Sequence, residues 1–319
     1  MINIHRQIHN HLQHARKVVI VTHQNPDGDT LGSASAMTEY LKAVGIKPTI
    51  FCLSQVPNYY TYLPHVDSVS SDKLLFADKN IDTIIFLDSG DMRYAGVAGL
   101  LDNHPAAIIN IDHHPTNEKY GHLNLVDSKA SSTTEIIFHF FRYNGVRICN
   151  RKATALLTGI MTDTGNFSNS ATSISAVTIA GYLLRAGANL RLINKSTVQN
   201  NSINILKLWG LVLDRLEHHP DKEMVFTYLK QEDYIKHQVE EKEADGIANF
   251  MNSIDGVKIG LFIKELGNGK VKGSFRTVHN DVDVAALAKK LGGGGHKKAA
   301  GFTAEGSIPE VLKRILTLE

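Results

Sequence analysis

Cysteine, proline and tryptophan are scarce in this chain: two, eight and one among 319 residues. Two cysteines cannot build a disulfide framework. Cys52 and Cys149 both lie in apolar stretches, IFCLS and VRICN, and read as buried free thiols of a reducing compartment. Long apolar runs are missing as well. None approaches the roughly 20 residues of a membrane span, and the opening MINIHRQIHNHLQHARK lacks the apolar core of a signal peptide. The expectation is a cytoplasmic protein with no membrane partner. An excess of charge of either sign is also absent: 34 basic residues face 32 acidic ones, a net charge of +2. That balance excludes a polyanion-coating surface and disfavours long duplex nucleic acid. With aromatics at only 7%, it also disfavours a pure nucleic-acid-binding module. A small or short anionic substrate in a local basic pocket fits the numbers.

What is present is a repeated pattern. The length predicts two domains. In the first half, KVVIVTH, KPTIFCLS, IDTIIFLDSGD and AAIINIDHHPTN are short apolar runs that end in polar residues. Helical stretches intervene, among them LGSASAMTEYLKAVG and NRKATALLTGIMTDTGNF, and SATSISAVTIAGYLLRAGA stops at Gly187. This alternation predicts an α/β fold with a parallel sheet covered by helices on both faces. The composition turns polar at NKSTVQNNS, and residues 191–220 are expected to be a linker containing a helix. Residues 1–190 are then expected to form the parallel-sheet domain and 221–319 a smaller α/β domain. That second domain is expected to hold a strand EMVFTYL, one polar helix over QEDYIKHQVEEKEADGIANFMNSI, and a hairpin across GNG. A glycine loop GGGGH and a terminal helix with a Ser307–Glu310 capping box follow. No internal repeat or low-complexity tract is visible.

Ligands of parallel sheets bind beyond the carboxyl ends of the strands. Those ends carry His23, Asp27 and Asp29, then Asp88, then Asp112-His113-His114; a later turn adds Asp163. Carboxylates and imidazoles suit hard to borderline divalent cations, and two metals about 3.5–4 Å apart need roughly six to seven such ligands with one carboxylate shared. Taken singly, each motif has a plain reading: NPDGD as a turn, Asp163 as a helix N-cap, Asp-His-His as a surface tripeptide. Their coincidence at successive strand ends argues for one shared site.

THQNPDGDTLGS, FLDSGD, IDHHPTN and TDTGNF resemble, in order, the four motifs of the DHH phosphoesterase superfamily. GSFRT and LGGGGHKKAAGF resemble its associated C-terminal domain, and the compact length is similar to the branch of nanoRNases and pAp phosphatases. The resemblance covers nearly the whole chain. It implies two divalent metal ions, with manganese the leading choice. His23, Asp27 and Asp88 would hold the first; Asp29, His113 and Asp163 the second; Asp88 would bridge. Asp112 would orient an imidazole or a metal-bound water, and His114 would face the scissile phosphate. A hydroxide between the metals would attack phosphorus in line. Arg276, the backbone of Gly293, Gly294 and Gly295, and His296 would hold the rest of the substrate, with Arg93 a further candidate for a phosphate. Catalysis would then need closure of the two domains. A homodimer through the N-terminal domain is also implied.

The implied activity is metal-dependent hydrolysis of very short oligoribonucleotides to mononucleotides and of pAp (adenosine 3′,5′-bisphosphate) to AMP. A phosphodiesterase acting on pApA or cyclic di-AMP would use the same residues. A nucleotide sensor without turnover would be marked by a lost metal ligand, and none is lost. The GGGGH loop is not an ATP-binding loop, having no preceding strand and no Gly-Lys-Ser/Thr. The N-terminal histidines His5, His9, His11 and His14 are expected on a solvated helix face, and His218-His219 at a helix end.

Overall fold

The computed structural model describes residues 3–198, 202–244 and 246–318. The chain divides into two compact units, Met1–Asn200 and Asn201–Glu319. Of the expected linker, residues 199–201 lie outside the described residues.

The first unit runs α1 (Ile4–His14), β1 (Val18–Val21), α2 (Gly28–Ala43), β2 (Thr49–Phe51), β3 (Thr83–Leu87), β4 (Ala107–Asp112), β5 (Leu123–Val126), α3 (Thr133–Tyr143), α4 (Asn150–Asp163), α5 (Ile174–Arg185) and α6 (Leu190–Thr197). Its five strands form a parallel sheet in the order β2-β1-β3-β4-β5. All residues of β1 and β3 are buried, which is why those strands read as unbroken apolar runs. β5 was not anticipated: LNLV is short, and only Leu125 is fully buried. The strand order reverses between β1 and β3, and sheets of this kind bind ligands in the crevice at that reversal.

α2 is buried along almost its whole length. Its small residues, GSASA, let α4 approach closely. A Cβ on Gly32 would lie 2.4 Å from the carbonyl oxygen of Ala155, so only glycine fits there. α1 departs from the expected solvated histidine face. Ile8 and Leu12 enter the core, His5 stacks on Tyr143 at 5.2 Å, His9 Nδ1 meets the Tyr40 hydroxyl at 2.9 Å, and His11 Nε2 meets Thr83 Oγ1 at 2.9 Å. Histidine carries an apolar ring with polar tips, and here three of the four rings fill the seam between α1 and the body of the unit. Only His14 is exposed.

The second unit comprises α7 (Ile203–Asp214), β6 (Glu217–His219), β7 (Met224–Leu229), α8 (Gln231–His237), α9 (Gly246–Phe250), β8 (Ile259–Gly267), β9 (Lys270–Arg276), α10 (Val284–Lys290), β10 (Gly294–His296), β11 (Ala299–Glu305) and α11 (Ile308–Leu316). Its sheet has the order β10-β11-β9-β8-β7-β6, antiparallel except for the β7–β8 pair. His218 and His219 do not end a helix: they lie in the edge strand β6 and pair with Val225 and Met224. The expected single polar helix is broken. α8 stops at Gln238 in the left-handed region (φ 54°), and short helical turns and α9 follow, their apolar residues Ala244, Ile247 and Met251 buried with α7. Burying those three residues fixes the chain path more strongly than the charged run that precedes them. Of the two free thiols, Cys52 is buried and Cys149 only half-buried.

Candidate active site

The site residues of the first unit come from the ends of strands and helices. β1 ends at Val21, and the chain turns through His23 and Pro26 into α2. Asp27 is the N-cap of α2, its Oδ1 accepting from the backbone N–H groups of Asp29 and Thr30 at 3.0 Å each. The cap and the site candidate are therefore one side chain, each carboxylate having lone pairs for both. Asp88 follows β3 directly and is held at φ 58°, the left-handed region that a non-glycine residue rarely occupies. That turn redirects its carboxylate at the strand end. His113 and His114 follow β4. Asp163 is not an N-cap but the last residue of α4, where the helix dipole opposes a negative charge.

These side chains converge. His23 Nε2 lies 3.4 Å from Asp88 Oδ2 and 3.7 Å from Asp27 Oδ1. His113 Nε2 lies 3.5 Å from Asp88 Oδ1 and 3.2 Å from Asp163 Oδ2. Three overlapping groups result, each with its ligand atoms within 4.8 Å of one another: Asp88–His113–His114 and the two that match the implied ligand sets, His23–Asp27–Asp88 and Asp29–His113–Asp163. Asp88 turns one oxygen toward His23 and the other toward His113. Most of these separations exceed ordinary hydrogen bonds. They match donors set about a common ion: with bonds of about 2.0–2.2 Å, neighbouring donors lie roughly 3.0–3.5 Å apart. The donor chemistry, carboxylate oxygen and imidazole nitrogen without thiolate, suits divalent cations such as Mn²⁺, Mg²⁺ or Zn²⁺.

The electrostatics agree with that fit. Burial, then the charges of Asp88 and Asp27, holds the Asp29 carboxyl well above the usual range; burial, then Asp29, Asp88 and Asp27, does the same for Asp163. Burial by itself lowers His23, but hydrogen bonds and attraction from Asp27 and Asp88 overcome it and raise the ring to about 10. Like charges crowded in low dielectric are costly unless a cation joins them.

Beside the two groups stands a relay. His114 Nδ1 is 2.8 Å from Asp112 Oδ1, and the Asp112 carboxylate is fully buried. That hydrogen bond, against the opposing effect of burial, raises His114 to about 9. Asn117 Nδ2 donates to the other oxygen of Asp112 at 2.6 Å and is itself held by Asn110. His114 Nδ1 also comes within 3.7 Å of Asp88, but its short bond to Asp112 occupies that nitrogen and leaves Nε2 as the outward atom. Arg93 lies at the rim, 75% exposed and paired with Asp91 at 3.3 Å.

In the second unit the strand register brings two candidates into one row. Ala299 of β11 pairs with His296 on one side and Arg276 on the other. Residues opposite one another share a face, so these side chains point the same way with Cα atoms about 9–10 Å apart. Arg276 is half-buried, its Nε donating to Asn249 Oδ1 at 3.0 Å, while His296 is exposed. The glycines divide. A Cβ on Gly293 would lie 2.1 Å from the Gly301 carbonyl oxygen, and Gly295 has φ 144°, so both are required by the packing of β10 on β11. Gly294 faces open space.

The sequence motifs did not single out the residues that hold the site in place. Tyr94 stacks on His23 at 5.0 Å. Thr133 and Thr134, at the start of α3, bind Asp29 and Asp88. Asn117 sat inside the quoted IDHHPTN, and SSTTE carried the signature of a helix start, but neither pattern says which distant carboxylate its side chains meet.

A parallel α/β sheet with a carboxylate–imidazole pocket at its switch point, followed by a separate mixed-sheet unit, is a two-domain hydrolase-type architecture. The chain belongs to the DHH family, whose N-terminal domain matches residues 17–160, with a DHHA1 domain matching residues 221–318. It is 31% identical to the bifunctional oligoribonuclease and PAP phosphatase NrnA of Thermus thermophilus, over 94% of this chain and 88% of that protein. It is 25% identical to the protein of the same name from Bacillus subtilis, over 89% and 88%. Among solved structures, an exopolyphosphatase-related protein from Bacteroides fragilis superposes with a TM-score of 0.91 at 26% identity, covering 98% of this chain and 94% of that one. No helix among the described residues is long and apolar enough to cross a membrane.

Proposed function

We propose that this protein is a divalent-metal-dependent phosphoesterase that hydrolyses very short oligoribonucleotides to mononucleotides and pAp to AMP. The carrying observation is Asp88, whose two oxygens face the two ligand groups from a single strained turn. His23, Asp27 and Asp88 would hold one ion, and Asp29, His113 and Asp163 the other, with Asp88 shared. When bound, two such ions, Mn²⁺ by preference of the donor set, polarise the phosphoryl oxygens and make water nucleophilic at neutral pH.

The chain supplies the rest. Asp112 fixes the His114 tautomer by accepting a hydrogen bond from Nδ1–H, and it stabilises the cationic ring. Nε2 is then a proton donor placed to meet the leaving oxygen of the ester or a non-bridging oxygen. Arg276 offers a guanidinium fork for a second phosphate, and His296 in the same row offers a ring for a phosphate or base. The near-neutral chain and compact size fit short substrates. The names of the NrnA relatives support the pairing of RNA and pAp as substrates. The free cysteines among the described residues suit the cytoplasm.

The test is phosphate release from pAp with Mn²⁺. Turnover by the native protein, lost on chelation and in Asp88→Ala, is expected. Binding of pAp without turnover at any Mn²⁺ concentration would instead make the protein a nucleotide sensor.

A further inference from the structure

The start of α3 is built around two carboxylates that belong to other elements. Thr133 N donates to Asp29 Oδ2 at 2.6 Å, while Thr134 N and Thr134 Oγ1 donate to Asp29 Oδ1 at 2.9 and 2.7 Å. Thr133 Oγ1 donates to Asp88 Oδ1 at 3.1 Å. Both threonines, Asp29 and Asp88 are buried. The segment that presents these donors is locked in turn. Ser132 caps the helix, accepting from Glu135 N at 3.1 Å, and Glu135 Oε2 takes the N–H and hydroxyl of Ser131 at 2.8 and 2.6 Å. Ser175 of α5 donates to Glu135 Oε1.

Asp29 is thus held by three donors and has no rotational freedom left. Asp88 is different. Its backbone is pinned by the N–H bond to Ile111 O, and its carboxylate has one described hydrogen-bond donor apart from the ligand imidazoles, the Thr133 hydroxyl, while the His23 ring makes a longer contact of 3.4 Å with Oδ2. That donor takes Oδ1, the oxygen on the His113 side, while Oδ2 faces His23. We propose that the Thr133 hydroxyl is a positioning group that fixes the rotation of Asp88, so that its two oxygens are divided between two ions; this rests on the two-metal reading of the site.

The reasoning is geometric. A carboxylate with a single side-chain torsion beyond the Cβ swings both oxygens together. Turned by a few tens of degrees, it places both oxygens on one side, becoming a two-oxygen ligand of one ion and leaving the other short of a donor. A hydroxyl on one oxygen opposes that swing, because leaving would strand a buried donor without a partner. Asp29 belongs to one ion only, so the clamp on it sets position, whereas the bond to Asp88 sets the relation between the ions. Partners that orient ligands in this way change metal affinity about 10- to 100-fold when removed.

The test uses the full chain, first freed of metal and then titrated with Mn²⁺ by calorimetry, with electron paramagnetic resonance on the loaded protein. Native protein is expected to bind two ions with the spectrum of a coupled pair. Thr133→Val, nearly the same shape without the hydroxyl, is expected to weaken one of the two ions about 10- to 100-fold. Its spectrum at one equivalent should be that of an isolated ion. Thr133→Ser, which restores the hydroxyl, is expected to restore the coupled pair. Circular dichroism of the metal-free variants separates this from misfolding, and Thr133→Ala replaces the valine variant if that one does not fold. A valine or alanine variant that folds and binds a coupled pair with native affinity would overturn the assignment to Thr133. Native protein that binds no second ion would instead overturn the two-metal reading itself.

Discussion

Gly159 tests the packing beneath the site more sharply than any ligand does. It lies inside α4, where alanine is the better helix former by about 0.8–1.0 kcal/mol. A propensity argument alone predicts that Gly159→Ala stabilises. The structure predicts the reverse. The added Cβ would sit 2.4 Å from Asp29 Oδ1, 2.4 Å from Thr134 Oγ1 and 2.5 Å from Thr134 Cγ2. Ordinary contact distances are about 3.5–4.0 Å, so something must yield by about an ångström. Overpacking of that kind costs about 1–3 kcal/mol. If Asp29 moves, a buried carboxylate also loses a donor, at about 1–3 kcal/mol more. Set against the propensity gain, the expected net loss with both terms is about 1–5 kcal/mol. At about 2–4 °C per kcal/mol for a unit of this size, Tm falls by roughly 2–20 °C. Displacing a reacting group's support by about 1 Å costs on the order of 100-fold in rate. Gly181 is the control. It lies inside α5, and a Cβ there meets nothing within 4 Å, so Gly181→Ala is expected to stabilise by about 0.8–1.0 kcal/mol with activity unchanged. Thermal unfolding and pAp turnover of both variants decide the matter. A Gly159→Ala protein as stable and active as Gly181→Ala would refute the packing argument.

Other expectations follow from the same geometry. Asp88→Ala should lower turnover at least 1000-fold and abolish binding of the second Mn²⁺, read by calorimetry. Arg276→Ala should raise KM about 10-fold or more with kcat little changed, because its role is binding; an equal loss in kcat at unchanged KM would contradict this. The metal-free protein should lose stability as pH rises. His23 and His114 have folded pKa values near 10 and 9, above the ordinary 6.5, so their contribution is whole below about 6.5 and is lost as pH climbs through 9 to 10. Asp29 and Asp163 are raised as well, and their contribution acts in the same direction. Saturating Mn²⁺ should reverse that slope, since a cation favours the deprotonated ligands.

The sequence was readable where chemistry and topology coincide. A buried parallel strand must be apolar and must stop, so His23, Asp88 and Asp112-His113-His114 stand out as polar residues at places the pattern marks. Asp29 and Asp27 share the turn into α2 for the same reason. Thr133 and Thr134 do not stand out, because two threonines after two serines read as a helix start, which they also are. Their partners lie 104 and 45 residues away, and no local periodicity encodes that distance. The α1 histidines misled for a related reason. Spacing shows which residues share a helix face but not what covers it, and here Tyr40 and Tyr143 meet it from other helices. The broken helix after β7 shows the limit of charge patterning. EEKEA looks solvated, yet Ala244 at its end and Ile247 and Met251 beyond it are buried and set the path.

The most direct measurement of the central claim is product formation with Mn²⁺ from RNA of two to five and of twenty-four nucleotides, pAp, pApA, cyclic di-AMP and pyrophosphate, assayed side by side. The account predicts rapid release of mononucleotides from the shortest RNAs and of phosphate from pAp, with little action on the twenty-four-nucleotide RNA. Activity confined to pApA or cyclic di-AMP, with pAp and short RNA untouched, would contradict it.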